Sequence, residues 1–200
     1  MLNLVSTSCL LAALTMSVSL PAAGQRPDGP AMPIADVGAC PFEGCHYGQW
    51  ATNDGVAIRR SRSARSPVVL RLIKGEQVTA LTGVVVIVRP GRVEFKEPTD
   101  LATTDGTIAA RPGDTLYLLA YIGEGFTNAW FKGRLYREVD GAMAFFNALC
   151  DTQPARCTGR VVQPTQSEWW IQIRSRGGRV GWTNEPEKFD GKDQFGAGAA

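Results

Sequence analysis

From residue 47 onward the chain alternates apolar and polar positions in short runs. Val56-Ala57-Ile58, residues 68–73, 77–82 and 84–88, and Val93-Glu94-Phe95 come first; residues 116–122, 129–131 and 134–136, Val161-Val162, residues 169–173 and residues 180–183 follow. A period of two sends successive side chains to opposite faces of an extended strand. Runs recurring every eight to twelve residues or so, with glycine-containing punctuation between them, are the pattern of small antiparallel barrels and sandwiches. The pattern predicts an all-β fold with at most one short helix. That helix is expected over residues 142–149, where Met143, Phe146 and Leu149 would share a face.

The first stretch breaks this pattern. Residues 1–24 carry no charged side chain, and an apolar run over residues 9–16, continued by Val18 and Leu20, ends in Pro21-Ala22-Ala23-Gly24. This is the layout of a secretory signal peptide with a small-residue cleavage site at Ala22-x-Gly24, which places the mature start near Gln25. The alternative is an uncleaved membrane anchor, because Met1-Leu2-Asn3 supplies no Lys or Arg. Cys9 follows Thr7-Ser8 and precedes any complete apolar run, so no lipid attachment is expected there. Residues 25–38, rich in Pro, Gly, Ala and Asp without apolar periodicity, read as a flexible leader.

Removing residues 1–24 leaves four cysteines, Cys40, Cys45, Cys150 and Cys157. An even number in an exported chain points to two disulfides, for which three connectivities exist. Each sequence-local pair encloses a short segment containing proline, so Cys40–Cys45 and Cys150–Cys157 are the expected bridges. The rival, a four-thiolate zinc site, needs tighter spacing than C-x4-C and C-x6-C. Export also favours oxidation, and neither a metal nor another cofactor is expected.

A weak internal repeat runs through the chain. Residues 74–81, KGEQVTAL, parallel residues 112–119, PGDTLYLL: a glycine and an acid make a turn, and an alternating strand follows. The aromatic run Trp130-Phe131, its glycine turn and Arg134-Leu135-Tyr136 parallel Trp169-Trp170-Ile171-Gln172-Ile173, Gly177-Gly178 and Arg179-Val180-Gly181-Trp182.

Taken in order, Val56-Ala57-Ile58-Arg59, Ser66-Pro67-Val68-Val69, Leu72, Lys74-Gly75-Glu76 and Val78 resemble the opening half of the bacterial SH3-like (SH3b) domain. Trp169 to Ile173 and the segment Gly177-Gly178-Arg179-Val180-Gly181-Trp182-Thr183 resemble its closing half. The whole arrangement is similar to uncharacterised exported SH3 domain-containing bacterial proteins. About ninety residues separate Glu76 from Trp169, whereas the family joins its two halves by a short stretch. The resemblance therefore implies either one small barrel with a large β-rich insertion or two degenerate packed units. The expected organisation is a first unit over residues 39–98, a second unit or insertion plus closing hairpin over 99–188, and a tail over 189–200.

The composition sets limits on function. Two hundred residues with 44% hydrophobic and 20% charged side chains make a globular chain, not a disordered or fibrous one. A net charge of +2 gives no overall field for nucleic acid, so electrostatic recognition has to be local. Catalysis lacks parts. His46 is the sole histidine, and as the neighbour of Cys45 on an extended segment it is badly placed for a thiolate pair. Glu124, Asp140 and Asp151 sit among turn residues, so a carboxylate-based hydrolase is the weakest reading.

Binding has better material. Between Gly55 and Gly75 lie Arg59, Arg60, Arg62, Arg65, Arg71 and Lys74 and no acid. Arg59, Arg60, Arg62 and Arg65 are expected to edge an aromatic groove drawn from Trp130, Trp169, Trp170 and Trp182. On two consecutive strand positions, Trp169 and Trp170 should face opposite ways, the outward one being the candidate platform. The reading is a non-catalytic periplasmic or extracellular module that binds a cell-envelope component, either a peptidoglycan peptide or an envelope protein. It has no nucleic-acid partner and meets membrane only through an uncleaved signal segment. The alternative is a secreted inhibitor or accessory factor of a partner enzyme.

Overall fold

The computed structural model describes residues 29–141, 144–145, 150, 152–153, 155 and 157–195. The signal segment with Cys9, the first residues of the leader, Met143, Phe146 and Leu149 of the expected helix, and Asp151 lie outside the described residues.

The elements are β1 (Ile34–Val37), β2 (Gly48–Thr52), β3 (Val56–Arg59), β4 (Val68–Leu72), β5 (Gln77–Arg89), β6 (Gly91–Phe95), β7 (Thr99–Thr103) and β8 (Gly106–Ala110). They continue as β9 (Thr115–Gly123), β10 (Phe126–Phe131), β11 (Arg134–Asp140), β12 (Gly159–Gln163), β13 (Gln166–Ser175), β14 (Val180–Thr183) and β15 (Phe189–Asp190), with a 3-10 turn at Pro186–Lys188. The fold is all-β, as the alternation predicts.

Pairing sorts these strands into two main sheets. The first runs β15-β2-β5-β13-β14-β3-β4, with β1 also on β5, and curls into a half-barrel. The second runs β11-β10-β9-β6-β12, and β7 and β8 form a hairpin whose Leu101, Ile108 and Ala110 complete its core. The hairpin carrying Trp169 to Trp182 pairs with β5 and β3, while the Gly113-Asp114 turn leads into β9, which pairs with β6 and β10. Strands β2 to β5 and β13 to β15 thus share one sheet, and strands β6 and β9 to β12 build the other.

Two segments depart from the sequence reading. Residues 34–37 of the expected leader form β1, antiparallel to residues 84–87 of β5. Four residues among prolines and glycines carry too little periodicity to announce a strand, and the edge of β5 supplies what local sequence does not. In the expected tail, Phe189 is 0% exposed and β15 pairs with β2. Phe189 anchors that segment in the half-barrel, and the His46 and Gln194 amides, donating to the Lys192 and Gly44 carbonyls, hold it there.

Strand β5 organises the molecule. Its first half pairs with β2 and sends Val78 and Ala80 into a core shared with Trp50, Ile58, Leu72, Ile171, Ile173 and Phe189. Its second half pairs with β1 and turns Val85 and Ile87 toward Leu119 and Ala120 of β9. Between the halves sits Gly83, which made the alternation look like two strands. A Cβ there would run into the Tyr47 hydroxyl and the Trp169 indole nitrogen, so only glycine lets those rings close over the strand.

Candidate functional site

The basic loop between β3 and β4 is built by its serines. The Ser66 Oγ accepts from the Ser61 amide (3.0 Å) and the Ser61 hydroxyl (2.9 Å), the Ser66 amide donates to the Ser63 carbonyl, and the Arg60 amide donates to the Pro67 carbonyl. Side-chain to backbone bonds of this kind close a loop without help from a core. Ser66 is buried, whereas Arg60, Arg62 and Arg65 stand in solvent.

Arg59 is the last residue of β3 and pairs in register with Trp182 of β14, so both side chains lie on one face. Its Nη1 donates to the Ser66 carbonyl at 3.0 Å, fixing the guanidinium against the loop. Arg62 returns from the loop tip to place its guanidinium carbon 5.3 Å from the centroid of a Trp182 ring. A cation held over an indole face within about 6 Å is attracted by the ring quadrupole.

The charge around this contact is uncompensated. The ion pairs Arg92–Glu94, Arg111–Asp100, Lys132–Asp114, Arg137–Asp105 and Lys188–Glu185 all lie elsewhere. Among the described residues, none of Arg59, Arg60, Arg62, Arg65, Arg71 and Lys74 has a carboxylate within ion-pair distance. Several unpaired cations gathered on one short loop make this surface one where an anion gains.

The four tryptophans do not gather in one groove. Trp182 meets the arginines; Trp169, three positions from the register partner of Trp182 on β13, points through the opposite face. There its ring lies 5.9 Å from Phe42, edge on, and 6.0 Å from Trp50, and its Nε1 donates to the Tyr47 hydroxyl at 3.2 Å. Trp170 shares the face of Trp182 by strand parity, but it is 3% exposed, with its Nε1 donating to Glu168 at 3.0 Å. Trp130 belongs to β10 and packs against the Val85, Ile87, Leu119 and Ala120 cluster between the sheets. An outward platform from the Trp169–Trp170 pair is therefore absent, and Trp182 is the one candidate tryptophan seen with the basic loop.

Both expected bridges are present, Cys40–Cys45 and Cys150–Cys157. The first removes Cys45 as a thiolate beside His46, whose Nδ1 is buried without a hydrogen-bonding partner among the described residues. Glu124, at φ +51°, shares a groove with Glu43 and Glu138 beside the Cys40–Cys45 loop, not with Asp140. No three His, Cys, Asp or Glu side chains among the described residues stand close enough to hold a metal ion.

Tyr47 is the aromatic residue that the sequence reading passed over. Its hydroxyl donates to the Ala39 carbonyl and accepts from Trp169, which ties the Cys40–Cys45 loop to the half-barrel, and burial pushes its phenol above the ordinary tyrosine range. Its position just before the alternation of β2, with Trp50 three residues on, was the available signal. Comparison of the chain with protein-family models, with curated proteins and with solved structures finds no significant match to any of them.

Proposed function

We propose that this protein is an exported, non-catalytic binding module of the bacterial SH3-like kind, and that it recognises an anionic cell-envelope component through the Arg59 to Arg65 loop and Trp182. The observation that carries the reading is the Arg62 guanidinium stacked on Trp182 beside Arg59, within a segment whose six cations have no ion-pair partner among the described residues. Two disulfides, typical of oxidising compartments, support export. An acidic peptidoglycan peptide or an acidic face of an envelope protein suits a cationic rim with one flat aromatic floor.

Exposed charges act through a screened field, so the interaction should weaken steeply with salt. Co-sedimentation of the purified protein with isolated cell envelopes, at low and at high ionic strength, tests it. The Arg60→Ala/Arg62→Ala/Arg65→Ala variant should lose binding by about tenfold or more, the sum of several contacts each worth about 0.5–1 kcal/mol. Envelope binding that survives this triple change and high salt would overturn the reading.

A further inference from the structure

The two sheets face each other across a cleft of about 300 Å³. Val85 and Ile87 of β5 and Leu119 and Ala120 of β9, packed on one another and nearly buried, form its base, and Leu118 and Tyr121 of β9 and Val161 of β12 border it. Among the residues lining it, none carries a charge. Its hydroxyls are largely committed to the walls: Thr127 Oγ1 donates to the Ala120 carbonyl at 3.0 Å, and Thr165 Oγ1 accepts from the Gly91 amide at 3.1 Å. Ser167, at the exposed rim, has no partner among the described residues.

The sheets are tied on both sides of that base. Beyond Ile87, Leu119 and Ala120, Asn128 of β10 donates to the Asp36 carboxylate of β1 at 2.9 Å, linking the sheets. On the other side, β5 runs through Pro90 into β6, and Thr165 clamps Gly91, whose missing side chain is what lets the threonine approach. Each wall is a hydrogen-bonded sheet and cannot fold inward to fill the space. Pro41 of the disulfide loop and Pro164 stiffen the rim. A preformed apolar slot with a few polar groups at its mouth has the anatomy of a small-molecule site, and apolar cavities stay dry.

We infer that this cleft binds one medium-length aliphatic chain, the tail of a neutral alcohol or acyl compound whose head remains at the Ser167 rim. The volume holds roughly ten groups of about 30 Å³, the room one water occupies. The slot between two sheet faces suits a linear chain better than a branched or globular ligand. The absence of any charge in the lining sets the polar head outside. The site is independent of the basic loop, since Val85 shares a face with its register partner Trp169, and Trp182 points through the other face.

Calorimetric titration of the purified protein with 1-decanol, below its solubility limit, tests the inference. Saturable binding of one decanol per chain is expected, with a change in tryptophan fluorescence because Trp130 and Trp169 pack against the same cluster. Ala120→Leu fills the slot and Ser167→Phe narrows its mouth; each should weaken binding at least tenfold, while the triple arginine variant binds decanol as the parent does. Should Ala120→Leu fail to fold, the exposed Ser167 position decides alone. Non-saturable uptake, or equal affinity in parent and Ser167→Phe, would show that the cleft is a packing gap and no site.

Discussion

At the scale of single residues, the molecule puts its polar aromatic groups to two uses. Trp182 offers an indole face to a solvent-exposed arginine, whereas Tyr47 spends its hydroxyl inside, between the Ala39 carbonyl and the Trp169 indole. The second arrangement has a pH signature. Burial holds the Tyr47 phenol above its usual value of 10.0. The unfolded chain therefore releases that proton first, and between the two pKa values it binds fewer protons than the native state. Stability from this group is complete below pH 10 and declines as pH rises through the folded pKa. Tyr47→Phe should cost about 1 kcal/mol at neutral pH through the lost hydrogen bonds. It should also flatten the alkaline decline, and urea titrations of both proteins across that range measure each effect. An unchanged alkaline slope in Tyr47→Phe would assign the decline to other groups.

At the scale of elements, the basic loop stands on Ser66 more than on its arginines. Ser66→Ala removes the acceptor of the Ser61 amide and hydroxyl, at a cost of about 1 kcal/mol. Strands β3 and β4 keep their ladder. Amide exchange at Ser61 should therefore quicken while Ile58 and Leu70 stay protected, and envelope binding should fall severalfold as the Arg62–Trp182 contact loosens. Protection at Ser61 equal to the parent's would show that the loop holds itself by backbone bonds alone. The loop and its flanking strands were legible because apolar alternation in Val56-Ala57-Ile58 and residues 68–72 matches the pleat, and because six cations without an acid are visible in any register. Strands β7 and β8 were not. Their inward positions include Thr99, Ile108 and Ala110, and their remaining residues are mostly small or polar, so periodicity is weak until the second sheet's core covers them. The same limit applies to the tryptophans: strand parity separates Trp169 from Trp170, but what lies over each face is set by long-range partners and leaves no local trace.

At the scale of the whole molecule, the chain leaves the half-barrel once, at Arg89-Pro90-Gly91, builds the second sheet, and returns through Pro164 and Thr165. Each sheet has its own core. The large cluster around Val93, Leu116 and Val139 belongs to the second, and that around Trp50, Ile171 and Phe189 to the first. Among the described residues, Val85, Ile87, Leu119 and Ala120 form the buried cluster that joins them, with Trp130 and Trp169 packed on it and the Asp36–Asn128 bond beside it. Cooperative unfolding of the two sheets therefore rests on few contacts beside an open cleft. Leu119→Ala removes the larger of the two buried side chains that β9 contributes to this junction and should cost about 2–5 kcal/mol. Most of that loss falls on the coupling between the sheets, not on either core. Trp50, Trp169, Trp170 and Trp182 report on the half-barrel, and Trp130 is the one tryptophan in the second sheet. Urea transitions followed by fluorescence and by far-ultraviolet circular dichroism should coincide in the parent and separate in Leu119→Ala, since coincident probes are the mark of two-state behaviour. If the transitions move together to lower urea without separating, the covalent crossings and the remaining packing of β5 on β9 are enough to keep the sheets one cooperative unit.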